Sequence, residues 1–202
     1  EQGLNLARMA VLLAGLPKSV GGVTVNRYCA SGLTAVAMAA DRIRTGEADA
    51  MIAAGVESMS IVPMLGHHPS MNMSIFRDEN IGMAYGMGLT AERVAQQWKI
   101  TRESQDEFAM ESHRRAHAAQ LSGEREAEII PIDVVEKIPD LASGEIATRT
   151  TTVSEDEGVR PDTTLEALAK LKPVFAAKGS VTAGNSSQTS DGAGAQIGRA
   201  HV

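Results

Sequence analysis

One helical segment and the short apolar run behind it constrain the fold of this chain more than any other feature. Residues 31–44 carry alanine on nearly every face of a predicted helix that ends at Gly46, which predicts burial on all sides. Residues 48–56 then have the length and composition of a buried strand. A helix over residues 2–13 and a β-branched run over residues 23–26 come first. The order helix, strand, helix, strand predicts an α/β layered fold with a parallel sheet.

The rest of the chain alternates irregular stretches with helices. Residues 61–88 are irregular and rich in Met and Gly, which is typical of a functional loop or an inserted subdomain. A helix is predicted over residues 90–97, with Thr90 as its N-cap, and a second over about residues 101–120. The further predicted elements are a strand over 129–135, a turn-rich segment over 156–162, a short helix over 164–171, a strand opening at 181–182, and an Ala/Gly-rich helix entered from the loop that begins at 183.

Composition and charge limit the classes of partner. The chain has 202 residues, 43% hydrophobic and 22% charged, which is typical of a globular protein. Its formal net charge is −6 and it has no basic block, so nucleic acid is not expected as a partner. No apolar run of about 18 residues predicts a membrane span, and no signal peptide is found. The single cysteine cannot form an internal disulfide, which fits a reducing compartment and a cytoplasmic location.

That single cysteine, Cys29, is the candidate nucleophile. It follows a predicted strand and precedes a predicted helix, whose N-terminal N–H groups and dipole would stabilise a thiolate. The small residues Ala30, Ser31 and Gly32 would let a substrate approach. The alternative stays open at this point, because free cysteine is among the most buried residue types and usually only packs.

Three long segments, taken in order, resemble the thiolases, a family of acyl-CoA acyltransferases. Residues 25–60, which include "VNRYCASG" and end in "ESMS", resemble the nucleophile segment of that family. Residues 87–95, "MGLTAERVA", resemble its Met-Gly-x-Thr-Ala-Glu segment. Residues 158–193, with "GVRPDTT", "KPVF" and "TAGNSS", resemble the end of its loop domain and the return to its core. Together with residues 1–17, the resemblance covers nearly the whole chain.

The resemblance implies a domain organisation. The expected fold is a thiolase-like layered αβα core of the α/β class, with its first half incomplete and a loop domain inserted. Residues 1–60 would belong to the N-terminal core with the nucleophile helix, residues 61–179 to a loop domain that binds CoA and the acyl group, and residues 180–202 to the return to the core. The stretch "QIGRAHV" at residues 196–202, with Arg199 and His201, departs from the family pattern. We therefore expect a fragment of a longer enzyme.

The resemblance also implies a reaction. Thiolases hold the acyl group as a thioester on a cysteine in a ping-pong cycle, and the matching residue is Cys29. The implied activity is that of an acetyl-CoA C-acyltransferase, which cleaves 3-ketoacyl-CoA to acetyl-CoA and a shortened acyl-CoA, or runs the reverse condensation, in fatty acid β-oxidation. The motif Arg-Tyr-Cys-Ala-Ser-Gly resembles that of the degradative enzymes more than that of the biosynthetic acetoacetyl-CoA thiolases. Ala30 stands where the two groups differ, so the biosynthetic enzyme is the alternative.

Five further positions match substrate contacts of the family. Met87 would line the acyl pocket, Arg160 would lie near the nucleotide part of CoA, and Phe175 would pack against its pantetheine or adenine. Ala183 and Ser187 would line the pantetheine channel. Core packing remains the alternative for Met87 and Phe175, and a surface charge for Arg160. CoA and acyl-CoA enter as substrates, no metal or prosthetic group is implied as a cofactor, and the full-length enzyme would be a homodimer or homotetramer.

The remaining histidines do not supply the family's acid/base groups. These belong to an Asn-Glu-Ala-Phe stretch, a Gly-His-Pro histidine and a Cys-x-Gly cysteine, none of which occurs in this sequence. His67 and His68 stand in "GHHP" just after the nucleophile strand, where we expect a loop. His113 and His117 lie four apart on a predicted helix, where a surface position is favoured over a metal pair because no third ligand is near.

We therefore expect no turnover from these 202 residues alone. Two competing classes remain. A condensing enzyme of the ketoacyl synthase type would share the fold and a nucleophilic cysteine, but its usual cysteine surroundings and paired histidines do not match. A non-catalytic acyl-CoA-binding module, or an inactive fragment, would have an inert Cys29, and thiol labelling separates it from an enzyme.

Overall fold

The computed structural model describes residues 3–200, so Gln2, at the predicted start of the first helix, and His201 lie outside the described residues. The chain forms two compact units, Glu1–Asn72 with Thr189–Val202, and Met73–Gln188. Both units combine helices with strands, as expected for the α/β class. The predicted domain boundaries after residues 60 and 179 stay a prediction.

Helices and strands alternate irregularly along the described residues. In chain order they are α1 (Leu6–Leu13), α2 (Ser31–Arg44), β1 (Ala50–Ser58), α3 (Met87–Trp98), α4 (Arg102–Leu121), β2 (Ile132–Pro139), β3 (Ile146–Val153), α5 (Leu165–Ala169) and β4 (Asp191–Arg199), with short 3₁₀ helices at Met73–Phe76 and Ile81–Ala84. None of the helices within residues 3–200 is long and apolar enough to cross a membrane.

The strands pair in two antiparallel ladders, so the predicted parallel sheet is wrong for the described residues. In the first unit β1 pairs with β4, from Ala50 opposite Arg199 to Ser58 opposite Asp191. In the second unit β2 pairs with β3. The antiparallel partner of β1 is β4, which lies more than a hundred residues further along the chain. The sequence pattern of the first 60 residues therefore gives no indication of this pairing.

Residues 23–26, predicted as a strand, join neither ladder. They lie instead against the beginning of α1. Thr24 Oγ1 accepts a hydrogen bond from the N–H of Ala7 at 3.1 Å and donates one to Asn5 Oδ1 at 2.7 Å. The side-chain amide of Asn5 also donates to the carbonyl of Gly22 at 2.8 Å. The start of α1 thus provides hydrogen-bond partners for the hydroxyl of Thr24 and the carbonyl of Gly22.

The Ala/Gly-rich stretch near the C-terminus was predicted as a helix, and this prediction is wrong, because it forms β4. Gly192, Gly194 and Gly198 recur within nine residues, and each glycine costs a helix about 1 kcal/mol relative to alanine. Pairing with β1 gives the backbone of this stretch regular hydrogen-bond partners. The strand includes Arg199, within the stretch expected to depart from the family pattern.

The helix α2 has the predicted bounds but not the predicted burial. It runs from Ser31 to Arg44, and Gly46 follows with a φ of +74° that suits glycine. Only Ala39 of this helix is buried, and the side chain of Leu33 is 75% exposed. The helix packs with one face against β1 and β4, and within residues 3–200 no further element covers the opposite face. The predicted burial of β1 is wrong as well, since its residues are half-buried or exposed.

The second unit is built around α3, α4 and α5. α3 begins at Met87 with Gly86 as N-cap, so the predicted cap Thr90 is wrong, and its hydroxyl donates to the carbonyl of Gly86 at 3.2 Å. α4 begins as predicted after Thr101, whose side chain accepts from the N–H of Ser104 at 3.2 Å. The strand predicted at 129–135 lies at Ile132–Pro139.

Two other elements of this unit differ from the prediction. The strand β3, Ile146–Val153, was not predicted. The strand predicted at residues 181–182 is reduced to a single bridge between Pro173 and Thr182. Both Val181 and Thr182 are nevertheless buried, so this irregular segment belongs to the core of the unit.

Candidate active site

Cys29 lies in a tight turn that leads into α2. The preceding residue, Tyr28, has a φ of +49°, in the left-handed region that side chains of its size rarely adopt. Ser31 bridges the turn, since its Oγ accepts from the N–H of Arg27 at 2.8 Å and donates to the carbonyl of Tyr28 at 2.7 Å. Asn26 Oδ1 also accepts from the N–H of Tyr28 at 2.9 Å. These hydrogen bonds fix the backbone on both sides of the cysteine.

The turn leaves the thiol of Cys29 exposed near the N-terminus of α2. Its neighbours Ala30 and Gly32 are also exposed, so small residues flank the sulfur on the helix side. In the described structure, therefore, Cys29 is not a cysteine packed into a core. An exposed thiol beside a helix N-terminus is accessible to a substrate.

Phe175 lies against the beginning of α3. A Cβ atom placed on Gly88 would come within 2.1 Å of Cδ1 of Phe175, so the ring fits only because residue 88 has no side chain. Met87, the residue before that glycine, is 63% exposed, and Phe175 is 43% exposed. The structure therefore brings Phe175 beside the residue that follows Met87, and neither side chain is buried in a core.

A cavity of about 240 Å³ is lined mainly by residues of α3 and by Ala176, the residue that follows Phe175. Within its wall the guanidinium of Arg93 lies 5.8 Å from the centroid of the Tyr85 ring. The cavity is smaller than the roughly 300–1,000 Å³ of an ordinary ligand pocket, so it suits one part of a large ligand. The lining residues are Tyr85, Leu89, Glu92, Arg93, Gln96 and Ala176.

Ala183 and Ser187 lie on an irregular segment, residues 180–187, and both are exposed. The segment is joined to α3 by Glu92, whose side chain is only 4% exposed. The carboxylate of Glu92 accepts from the N–H of Ser180 at 3.0 Å and from the N–H of Val181 at 2.9 Å. Sequence reasoning missed this carboxylate, although it is the last residue of the "MGLTAE" match.

Arg160 is exposed, as a residue that meets a charged ligand would be. Its backbone N–H donates to Nδ1 of His113 at 3.1 Å, so Nδ1 is the acceptor of that ring. The surface position predicted for His113 and His117 is only partly correct, since both are half-buried. No group of three or more His, Cys, Asp or Glu side chains within the described part of the chain could hold a metal ion.

The structure brings some of the predicted site residues of the second unit together. A Cβ atom on Gly158 would come within 2.1 Å of the Gln188 side chain, so the segments of Arg160 and Ser187 are neighbours. All five predicted substrate contacts belong to the second unit, whereas Cys29 belongs to the first. His67 and His68 lie exposed in an irregular segment, as predicted.

Comparisons with known proteins show the family of this chain. The family model described as thiolase, N-terminal domain, matches residues 1–198. A 3-ketoacyl-CoA thiolase of Bacillus subtilis is 47% identical over 196 residues, which cover 96% of this chain and 49% of that protein. A protein of the same name from Colwellia psychrerythraea is 46% identical over 203 residues, which cover 98% of this chain and 48% of that protein.

A solved structure agrees as well. The crystal structure of the dimeric peroxisomal thiolase of Saccharomyces cerevisiae has 40% sequence identity and a TM-score of 0.76, and the match covers 94% of this chain and 46% of that one. The chain thus spans about half the length of the relatives that it matches.

Proposed function

The chain belongs to the thiolase family, and from this membership we propose that it forms the nucleophile-bearing part of a degradative 3-ketoacyl-CoA thiolase. The observation that carries the proposal is the exposed thiol of Cys29, held near the start of α2 by a hydrogen-bonded turn. The names of the relatives favour the degradative enzyme over the biosynthetic acetoacetyl-CoA thiolase.

The proposed reaction has two steps that share Cys29. Its thiolate attacks the ketone carbon of a 3-ketoacyl-CoA, and the bond between that carbon and the adjacent C2 breaks. The electron pair of that bond stays on C2, which takes up a proton and leaves as acetyl-CoA, while the shortened acyl group remains on sulfur as a thioester. The thiol of a second CoA loses its proton, attacks this thioester and restores the thiolate of Cys29. Each step becomes easier than a direct transfer, which is the advantage of covalent catalysis.

The five positions in the second unit are proposed as substrate contacts. Met87 would meet the acyl group, and Phe175 the pantetheine or adenine part of CoA. Arg160, exposed and cationic, suits the phosphates of the nucleotide part. Ala183 and Ser187, both exposed, would line the pantetheine arm. CoA and acyl-CoA are substrates in this scheme, and no resident cofactor is required.

Assembly and location belong to the same proposal. The yeast structure is that of a dimer, which supports a homodimer or homotetramer for the full-length protein. Light scattering of that protein tests this, and a monomer would contradict it. A cytoplasmic location is supported by the single cysteine, which needs no oxidising compartment.

The test of function is thiolysis of acetoacetyl-CoA and of a longer 3-ketoacyl-CoA by the full-length protein. We expect cleavage of both substrates, and we expect Cys29→Ser to reduce both to background, because serine at this position lacks an acidic thiol. Cleavage of acetoacetyl-CoA alone would favour the biosynthetic alternative. Activity that survives in Cys29→Ser would exclude Cys29 as the acyl carrier, and an inactive but CoA-binding wild-type protein would favour a binding module.

A further inference from the structure

The segment 180–187, which carries two of the proposed CoA contacts, has little regular structure of its own. Its only ladder contact is the single bridge from Thr182 to Pro173. Val181 and Thr182 are buried, whereas Ala183 and Ser187 are exposed. A segment of this kind needs contacts from other elements to hold one conformation, because each ordered residue costs about 1–2 kcal/mol of backbone entropy.

The first set of these contacts comes from α3. Besides the N–H groups of Ser180 and Val181, the Glu92 carboxylate receives the hydroxyl of Ser180 at 3.4 Å. A Cβ atom on Gly179 would stand 2.0 Å from Glu92 Oε1, so the backbone approaches the carboxylate as closely as glycine permits. One buried side chain thus fixes three donors in the first two residues of the segment.

The second set comes from α4 through Asp106, which is also 4% exposed. Asp106 Oδ1 accepts from the side-chain amide of Asn185 at 2.9 Å. That amide also donates to the carbonyl of Ser180 at 3.2 Å, while Asn185 Oδ1 accepts from the N–H of Thr182 at 2.7 Å. Asn185 therefore joins its own part of the segment to Ser180 and Thr182 and anchors it to α4.

Asp106 is held in turn by Arg102, one helical turn earlier. The Nε of Arg102 donates to Asp106 Oδ2 at 2.8 Å, and its Nη2 donates to the carbonyls of Leu168 and Leu171 at 2.6 and 3.0 Å. Both oxygens of Asp106 therefore have a defined donor. A buried ion pair usually contributes little net stability compared with apolar packing. We therefore attribute to this pair the role of fixing the position of the Asp106 carboxylate.

We propose that Glu92 and the Asp106–Asn185 pair are positioning residues, which hold segment 180–187 in the conformation that presents Ala183 and Ser187 to the pantetheine arm of CoA. This inference rests on the proposed function, because it takes the CoA contacts of the segment from there. The three side chains act through the backbone, and none of them needs to touch the ligand. Their loss weakens CoA binding even where the chain stays folded.

The chain offers a direct test in which the pair is exchanged. In Asp106→Asn, the single side-chain oxygen cannot accept from both Arg102 and Asn185, so one of these two contacts is lost. In Asn185→Asp, two carboxylates meet at the 2.9 Å contact. The double variant Asp106→Asn/Asn185→Asp restores a donor opposite an acceptor, keeps an acceptor for Thr182, and leaves the net charge unchanged. The bond to the carbonyl of Ser180 and the ion pair with Arg102 are not restored.

The measurement is the Kd for CoA of the full-length protein by calorimetry, at a temperature where circular dichroism shows every variant to be folded. Amide hydrogen exchange of residues 180–182 is followed in parallel. We expect each single variant to raise the Kd about tenfold and to speed exchange at these amides, and we expect the double variant to recover most of both losses. Glu111→Gln, which breaks exposed ion pairs on the same helix, is the matched control and leaves both unchanged.

The outcomes distinguish a failure of the proposed function from a failure of the positioning role. A wild-type full-length protein that does not bind CoA contradicts the proposed function and, with it, this inference. A wild-type chain that binds CoA, with single variants of equal affinity, overturns the positioning role alone. Single variants that lose affinity without recovery in the double variant also overturn it, because the pair would then not act through its mutual hydrogen bond.

Discussion

Phe175 occupies the space that a side chain at residue 88 would need. A Cβ atom on Gly88 would lie 2.1 Å from Cδ1 and 2.3 Å from Cγ of that ring, well inside van der Waals contact. The glycine in the "MGLTAE" segment therefore has a steric reason that does not depend on backbone conformation. The absence of a side chain at Gly88 leaves room for Phe175, the aromatic residue that the resemblance to thiolases implies in CoA binding.

We predict that Gly88→Ala displaces Phe175 and destabilises the chain by about 1–3 kcal/mol, the usual cost of overpacking. The better helix propensity of alanine offsets only part of this cost. Thermal unfolding measures the change. Gly82→Ala is the control, because a Cβ atom there meets nothing within 4 Å. Equal stability of the two variants would show that the ring moves aside freely.

The buried carboxylate of Glu92 supports a second prediction, on stability. Glu92→Leu leaves the N–H groups of Ser180 and Val181 without their acceptor, which should cost about 3 kcal/mol or more. Glu92→Gln should cost less than about 1 kcal/mol, since its oxygen can accept from both N–H groups and its amide can donate to the Ser180 hydroxyl. Chemical denaturation of the two variants checks the order, and a glutamine variant as unstable as the leucine variant would contradict it.

The left-handed backbone at Tyr28 supports a third prediction. Since a non-glycine residue pays roughly 1–2 kcal/mol for this conformation, Tyr28→Gly should stabilise the chain by up to about 1 kcal/mol, after the greater unfolded-state entropy of glycine. Arg27→Gly, at the neighbouring residue with an ordinary φ, should destabilise it. Unfolding temperatures of the two variants test this. Destabilisation by both would mean that the Tyr28 side chain, although 72% exposed, contributes more than the strain costs.

A fourth prediction concerns pH. Asp191, at the start of β4, accepts hydrogen bonds from the hydroxyl and the N–H of Ser60 and from the hydroxyl of Ser58, and these donors lower its pKa below the ordinary value of about 3.9. A carboxyl whose pKa is lower in the folded state stabilises that state above the unfolded pKa. This stabilisation is lost as the pH falls below about 4 and through the folded pKa.

Asp191→Asn removes this titration while keeping an acceptor for the N–H of Ser60. The variant should therefore be less stable than wild type at pH 7, and the difference should shrink at pH 3. Urea unfolding at the two pH values measures it. A difference that stays constant between pH 7 and pH 3 would contradict the role given to the carboxylate.

The resemblance to thiolases and the thiolase-like α/β fold, both predicted from the sequence, are confirmed by the family match and the solved structure. Local signals placed the helices well. Residues 31–44 are predicted as a helix with the bounds found for α2, because Gly46 is a stop signal after its end, and the structure gives that glycine a positive φ. Thr101 fixed the start of α4 for a similar reason, since its side chain caps the first turn.

Pairing between distant strands could not be predicted in this way. β4 pairs with β1 across more than a hundred residues, and the alanine and glycine content of β4 indicated a helix. β3 had a usable local signal, because the Thr-rich "IATRTTTV" follows β2 across the short turn at Asp140–Gly144. Strand propensity with a nearby turn would have predicted that hairpin.

The same contrast between local signals and long-range contacts applies to the candidate site. Cys29 was found from local sequence, because a cysteine between a strand-like run and a helix start is visible there. The buried Asp106 and the half-buried Asn185 form a pair 79 residues apart, and isolated acidic and amide residues in a sequence usually indicate surface positions. Only the folded chain brings such a pair together.

The most direct test of the central claim is the rate at which iodoacetamide alkylates Cys29 in the full-length protein, followed by mass spectrometry of the peptide that contains Cys29. The proposal that Cys29 receives the acyl group predicts ready alkylation of the free chain and a several-fold slower reaction in saturating acetoacetyl-CoA. Adenosine 3′,5′-bisphosphate, which lacks the thioester arm, should not protect. An unchanged alkylation rate in acetoacetyl-CoA, with binding of that ligand measured separately, would contradict the claim that Cys29 is the acyl acceptor.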